Sequence, residues 1–407
     1  LDVGNIAELN TFLVLDGVRS RGQATRSQLA RELGLSDASV SRIVKRLLAA
    51  GSIEELPGDP AARGRTPSIL RFVSPVGGVL AVDLGGTRCH GALADLAGGT
   101  VAEDFRPAGE GRNAAGALLA CIAALKSRAG QLGMPVRAVV VGIPALIDPV
   151  TGLATAGPNV HWQGFDLIGI LTETVQEPFD VDNDVNLGAL GQAWRGDGRG
   201  IRSFVTMSLG TGIGGAVVID GHLIRGHHNA AGELAYFPVW RGNSESTGSR
   251  CGFEDVASGP ALRARAAALI GAGEVTSLRP EAFDVADVFA AAKAGDRVGQ
   301  RVVGELVSYV ATAVAGTTAL IDPDRIILDG SIGRALGPWL PELCDLVATQ
   351  VFRPPDVVVS TLGPNATVIG AIARALAVVS ELDAPVQLSR RTLGQREPSR
   401  QGHGRRN

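Results

Sequence analysis

Apolar residues fall at helical spacing between residues 25 and 49: Leu29, Ala30, Leu33, Leu35, Val40, Ile43, Val44, Leu47 and Leu48, interrupted at Gly34-Leu35-Ser36. The pattern predicts two short helices joined by a tight turn. Ala30 is small where the helices approach, Gly34 can take the positive φ that the turn needs, and Val40 plugs the second helix into the first. Ser36 is a good N-cap for that second helix, with Ser39 three positions on. Beyond Gly51 two β-like runs flank a Gly-, Pro- and Arg-rich loop, SIEELPGDPAARGRTPSILRFV, which predicts a wing with Arg63 and Arg65 at its tip.

From Gly78 the periodicity changes. VLAVDLGGTRCHGALAD reads as strand, glycine turn, strand, and VTMSLGTGIGGAVVID repeats that layout about 125 residues later. Between them FDVDNDVNLGALGQAW is a short strand running into a helix. Further elements are predicted as a helix over 113–130, a strand over 136–144, helices near 259–271 and 297–321, a strand over 325–330 and a closing helix over 367–379. Such alternation predicts a duplicated α/β body with a mainly parallel sheet in each half and a cleft between them. The tail after about Pro385 is rich in Arg, Gly and Gln and is expected to be disordered. The domain boundaries are therefore 1–75, 76–385 and 386–407.

Charge sharpens the division. The net charge is −3, distributed as +2 over residues 1–75, +5 over 388–407 and −10 over the rest. A basic end beside an acidic body suits nucleic-acid contact at that end. On the second helix the outward positions Asp37, Ala38, Ser39, Ser41, Arg42 and Lys45 carry short or cationic groups able to reach base edges and phosphates in a major groove, Arg42 and Lys45 foremost. A helical hairpin used for dimerisation is the blander reading. The small-glycine-valine spacing and the basic wing favour the reader.

No uninterrupted apolar run approaches the ~20 residues of a membrane helix. LDVGNIAELN lacks the layout of a secretion signal, so a cytoplasmic protein with no membrane partner is expected. Cys89, Cys121, Cys251 and Cys344 show no paired spacing, which predicts reduced thiols rather than a disulfide framework.

The two glycine turns point to phosphate chemistry. Gly85, Gly86, Gly210, Gly212, Gly214 and Gly215 would let backbone N–H groups approach phosphate oxygens, and Thr87 and Thr211 would add hydroxyl donors. Asp83, at the end of the first strand, is placed to hold Mg²⁺ through water. Asn183 and Asp184 end a strand where α/β proteins build sites. Asp184 is either a general base for a sugar hydroxyl attacking a γ-phosphate or the N-cap of its helix, or both.

These residues resemble the ROK family of repressors, open reading frames and sugar kinases. The resemblance runs from about Glu8 to Val379: the winged helix-turn-helix, DLGGT, GIPALID, PNVHW, DNDVN, LGTGIGG, RGHHNAAGE, ASGPAL, IDPDRIILDG and LGPNATVIGA stand in that family's order. It implies a duplicated actin-like, ribonuclease-H-like two-lobe ATPase fold behind the reader. It also implies that Asn159, Asn183, Asp184, Glu233 and Glu254 hydrogen-bond sugar hydroxyls, with Asp184 as base in members that phosphorylate.

Departures from the family pattern matter as much. Members with a structural zinc continue AGE into Gly-His and later show C-x-C-G-x-x-G-C-x-E. This chain has AGELAYF, with Ala235 and Tyr236 there, and SRCGFE; His227 and His228 stand too far back to replace the histidine. A tetrahedral site needs four ligands, so no zinc is expected. The expected function is a DNA-binding transcriptional regulator, a repressor, whose operator affinity responds to a sugar or sugar phosphate, working as a homodimer or homotetramer. The alternative is an ATP- and Mg²⁺-dependent hexose kinase that also carries a reader; Tyr236, and Asp329 where the family usually has glycine, argue against it.

Overall fold

Thr25 starts the reader's second helix with a capping box, its Oγ1 accepting from the Gln28 N–H while the Gln28 side chain accepts from the Thr25 N–H. In the computed structural model, which describes residues 3–49, 51–57, 68–73, 77–108, 112–148, 151–155, 166–239, 252–279 and 282–382, that helix is the second of three. The reader comprises α1 (Val3–Arg21), β1 (Gln23–Ala24), α2 (Arg26–Leu33), α3 (Asp37–Ala49), β2 (Ile53–Leu56) and β3 (Ile69–Phe72). Gly34 ends α2 at φ +64°, the left-handed conformation its place in the turn predicts. The Ser39 N–H donates to Ser36 Oγ at 3.2 Å, so Ser36 does cap α3. Val14, Leu15 and Val18 of α1 join Leu29, Val40, Ile43, Val44, Leu47 and Leu70 in one core. The three short strands form an antiparallel sheet in the order β1-β3-β2. Arg63 and Arg65 lie outside the described residues.

The body repeats one plan twice. Its first half runs β4 (Gly78–Leu84), β5 (Arg88–Asp95), β6 (Thr100–Pro107), α4 (Arg112–Gln131), β7 (Val136–Ile143), β8 (Leu146–Ile147), β9 (Ala154–Thr155), α5 (Leu167–Thr174), β10 (Phe179–Asn183) and α6 (Asp184–Arg195). The second runs β11 (Phe204–Leu209), β12 (Ile213–Ile219), β13 (His222–Ile224), α7 (Glu254–Ala257), α8 (Gly259–Gly271), α9 (Val285–Lys293), α10 (Arg297–Ile321), β14 (Arg325–Asp329), α11 (Gly330–Ala335), α12 (Leu340–Ala348), β15 (Asp356–Val359) and α13 (Ala366–Leu382). Sheet orders are β10-β7-β4-β5-β6 and β13-β12-β11-β14-β15, the same path in each half.

Both sheets are mixed rather than mainly parallel. The pairs β4–β5, β5–β6, β11–β12 and β12–β13 are antiparallel, because turns of a few residues can only return the chain alongside itself; the remaining pairs are parallel. Central strand β4 is buried on both faces, under α4 and α5 on one side and under α6 and α13 on the other, which is why it reads as a nearly unbroken apolar run. Two helices are long and apolar enough by composition to cross a membrane, Arg297–Ile321 and Gly363–Ser380, and 61% and 56% of their apolar windows are buried inside the fold.

Helices α6 and α13 touch backbone to backbone. A Cβ at Gly370 would stand 1.7 Å from the Leu187 carbonyl oxygen, and one at Gly191 would stand 2.3 Å from that of Ala366. Gly370→Ala must push the two helices apart and is expected to cost about 1–3 kcal/mol. The midpoint of urea unfolding checks it; an unchanged midpoint contradicts the contact.

Candidate functional site

Two surfaces carry chemistry. On the reader, Ser41, Arg42, Lys45 and Arg46 are exposed along α3, while Val40, Ile43, Val44 and Leu47 turn into the core. Arg46 belongs to this face and was not singled out by sequence. Ser39 is half-buried and its hydroxyl accepts from Ser36 Oγ at 2.9 Å, so it serves the cap more than a base edge. The wing is tied to α2 by Arg26, whose guanidinium donates to both Glu55 oxygens (2.7 and 3.0 Å) and to Ser68 Oγ. Those bonds, from Arg26 first and Ser68 second, hold the Glu55 carboxyl down at about 2.

In the body, the ends of β4 and β10 and the second hairpin meet. Asn183 caps α6, its Oδ1 accepting from the Val185 and Asn186 N–H groups (2.9 and 3.2 Å). The cap is therefore Asn183 and not Asp184, and only the amide N–H₂ of Asn183 is left for a ligand. Asp184 Oδ1 accepts from the Val185 N–H at 2.9 Å, and its carbonyl accepts from Thr367 Oγ1 of α13 at 3.2 Å. Glu254 Oε2 accepts from the Ile213 N–H at 2.8 Å, which orients this carboxylate beside the second glycine turn.

Four acids share this region. Burial pushes Asp184 up to about 7, with further repulsion from Asp83 and Glu233. Burial likewise pushes Asp83 up to about 6, against the pull of Arg88. Glu233 is raised by burial and by Glu254, and the Tyr236 phenol by burial and by both glutamates. Mutual repulsion of this kind marks a place that gains from a ligand's hydroxyl groups or from a cation. Asp83 and Asp184 bind protons in the folded chain that they release in the unfolded chain. The stability this contributes is complete below about pH 4 and is lost as pH rises through about 6 and 7. The melting temperature is expected to fall between pH 5 and pH 8, and Asp184→Asn to remove most of that fall. A profile unchanged by the substitution contradicts the burial of this charge.

The glycines divide by role. Neither hairpin takes positive φ at Gly85, Gly86, Gly210, Gly212, Gly214 or Gly215. The N–H groups of Gly85 and Gly210 donate within their own turns, to the Arg88 carbonyl at 2.9 Å and the Gly212 carbonyl at 3.0 Å, so neither is left for a phosphate as the sequence suggested, whereas at Gly86 a Cβ would meet nothing within 4 Å and a ligand has room to approach. At Gly214 a Cβ would lie 2.6 Å from Val185 Cγ2, and at Gly215 2.6 Å from the Gly232 carbonyl oxygen. These two glycines serve packing of the hairpin on α6 and on the Glu233 loop, and do not line a phosphate path. Gly210 and Thr211 border a cleft of about 810 Å³ whose walls include Arg263, Phe283, Phe289 and Ser331. Phe283 and Phe289 offer apolar walls of the kind a nucleotide base takes, with the Thr211 and Ser331 hydroxyls beside them.

Zinc is a different matter. Among the described residues no group of three or more His, Cys, Asp and Glu is placed to hold a metal ion, and Cys251 lies outside them. His227 and His228 stack edge-on at 4.5 Å. Tyr236 is 61% exposed, near Glu233 and Glu254. Its segment is held instead by a Pro238–Gly252 bridge, by the Phe253 N–H donating to the Phe237 carbonyl at 2.9 Å, and by fully buried Phe253. Asp329 is buried and caps α11 through the Gly330 N–H (2.7 Å), with Arg334 beside it at 3.0 Å. Asn159 lies outside the described residues.

The ROK family profile matches residues 79–378 and the MarR family profile residues 8–64. The xylose repressor of Caldicellulosiruptor bescii is 25% identical over 90% of this chain and 95% of its own length. The DNA-binding transcriptional dual regulator NagC of Escherichia coli is 24% identical, over 86% and 88%. The crystal structure of a ROK family transcriptional regulator, a homologue of the Escherichia coli MLC protein, superposes with a TM-score of 0.76 at 25% identity, over 93% of this chain and 99% of that one. A Streptomyces griseus ROK glucokinase in complex with glucose and AMPPNP superposes at 0.62 and 26% identity, over 74% of this chain and 99% of that one.

Proposed function

We propose that this chain, which belongs to the ROK family, is a DNA-binding transcriptional regulator whose grip on its operator is set by a sugar or sugar phosphate held between Asp184, Glu233 and Glu254. The observation that carries this reading is α6, which begins in the cleft at Asp184 and ends against the reader. At its far end Trp194 lies 5.8 Å under the Arg19 guanidinium of α1, and Arg19 Nη1 donates to the Leu96 carbonyl at 2.9 Å. A helix is stiff along its axis, so a shift at one end reaches the other. Repression is the expected sense, with the effector favouring a closed cleft that DNA-bound protein does not adopt. Two readers in a homodimer or homotetramer would address half-sites about one helical turn apart in the cytoplasm.

A thermal-shift screen with sugars and sugar phosphates, repeated with ATP and Mg²⁺, tests the ligand class. A melting temperature that no carbohydrate moves contradicts the proposal.

A second reading, an ATP-dependent hexose kinase bearing a reader, is favoured by Asp83, Asp184 and the cleft beside Thr211. Bound nucleotide would supply the transferable phosphoryl group. The chain's own part would be the Gly86 amide and the Thr87 and Thr211 hydroxyls on the phosphates and Asp184 taking a proton from the sugar hydroxyl, for which a carboxyl near 7 is well matched. Sugar-dependent ADP formation that Asp184→Asn abolishes would place this reading first.

A further inference from the structure

The seam between the two halves holds a chain of charges that neither the reader nor the cleft floor uses. Arg225, in the loop after β13, meets Asp182 of β10 end-on, with Nη1 2.8 Å from Oδ1 and Nη2 2.7 Å from Oδ2. Asp182 is 6% exposed, and its Oδ1 also accepts from the Asn183 N–H at 2.8 Å and Asn186 Nδ2 at 3.2 Å. Two residues back along the same strand, on the same face, Asp180 Oδ2 accepts from Arg374 Nε of α13 at 2.7 Å. Asn229 Nδ2 closes the seam on the Ile147 carbonyl at 2.9 Å. A polar cavity of about 240 Å³ runs alongside, lined in part by Asp180, Asp182, Asn183, Arg225 and Arg374.

The placement of these pairs is what gives them meaning. Arg225 stands at the root of the loop that carries Glu233, its carbonyl accepting from the Ala231 N–H at 3.0 Å. Asp182 immediately precedes Asn183 and Asp184. One bidentate pair therefore fixes the two banks of the cleft at a single separation. Arg374 continues the connection onto α13, whose later residues Leu376, Val379 and Ser380 line a second cavity with Leu15 and Arg19 of α1. Burial opposes the charge of Arg225, but Asp182 outweighs it and holds the group above the ordinary arginine value; Asp180 adds to this effect and Arg374 subtracts from it, so the four charges respond to one another.

We propose that Arg225 is a positioning residue for the effector carboxylates, and that Asp182–Arg225 and Asp180–Arg374 form a relay that converts cleft width into a displacement of α13 beneath the reader. The proposal rests on the reading of the cleft as an effector site. Partly buried ion pairs anchored by a charge-assisted hydrogen bond resist stretching and instead exchange between discrete arrangements, which is the behaviour a switch needs.

The test uses the full chain with Arg225→Gln, Arg225→Lys, Arg374→Gln and Asp180→Asn. Hydrogen exchange without any sugar comes first. Arg225→Gln is expected to raise exchange at residues 222–233 and also along 366–382 and 13–21, and Asp180→Asn to raise it along 366–382 and 13–21. Exchange confined to 222–233 overturns the relay. With a hexose that shifts the melting temperature, Arg225→Gln is expected to weaken its binding at least tenfold and Arg225→Lys to recover most of that. Arg374→Gln is expected to leave hexose affinity within twofold while the ratio of operator affinities without and with hexose falls at least fivefold; a full ratio in that variant overturns the proposal. If no hexose binds the unaltered chain, the effector reading fails, and the exchange experiment still decides the relay.

Discussion

Replacing Arg42 and Lys45 together by alanine is expected to lower operator affinity at least 100-fold while leaving the melting temperature and carbohydrate binding as they were. Both side chains are exposed on α3, and the residues that hold α3 in place, Val40, Ile43, Val44 and Leu47, point the other way into the reader core. The substitution removes charge and reach without opening a cavity. A good base contact is worth about 1–3 kcal/mol, so two lost contacts account for the expected loss. Any phosphate contact among them contributes about 0.9 to the salt slope, so the slope of log affinity against log salt is expected to fall by up to about 2. Fluorescence anisotropy on an operator fragment at several salt concentrations measures both. A double variant that binds as tightly as the original places the DNA on some other face.

Asp184→Asn is expected to have the second large effect, a carbohydrate affinity at least 30-fold weaker with operator binding intact. Asp184 is a buried carboxylate between Asp83 and Glu233, and an amide of the same shape trades an acceptor for a donor. A sugar hydroxyl that donated to the carboxylate then faces a mismatched partner, at a cost of about 1–3 kcal/mol. The variant is also expected to be more stable at neutral pH, because the raised carboxyl no longer has to ionise where it is buried. Weaker binding and higher stability together separate a lost ligand contact from an unfolded cleft. Calorimetry with the responsive sugar reads the first and thermal unfolding the second; weaker binding with lower stability contradicts the assignment.

Local signals in the sequence carried the reader and the two hairpins, because each is written in adjacent residues. Gly34 with Ser36 and Val40 specifies a turn, a cap and a plug within seven positions, and the described residues bear all three. Helix α1 escaped notice since its apolar residues are divided between two partners: Val14, Leu15 and Val18 face the reader while Leu13 packs against the body. Adjacency also misled. Asn183 and Asp184 are neighbours of similar shape, and only the turn of the backbone decides that Asn183 makes the cap. Glycine says that a Cβ is unwelcome but not what would meet it, so Gly214 and Gly215 read as a phosphate path when Val185 and Gly232 occupy the space. Arg225 and Asp182 are 43 residues apart and Arg374 and Asp180 194 apart, a separation at which one sequence holds no trace of pairing.

The effector cleft and the reader are joined by shared helices, with α6 and α13 in backbone contact and α1 resting on their far ends. A coupling of about 1.4 kcal/mol between two sites changes affinity tenfold. The direct measurement is the dissociation constant of the full chain for operator DNA, by fluorescence anisotropy, without sugar and with a saturating sugar already shown by thermal shift to bind. The account predicts a change of at least tenfold, lost in Asp184→Asn. An identical constant with the cleft occupied and empty contradicts it.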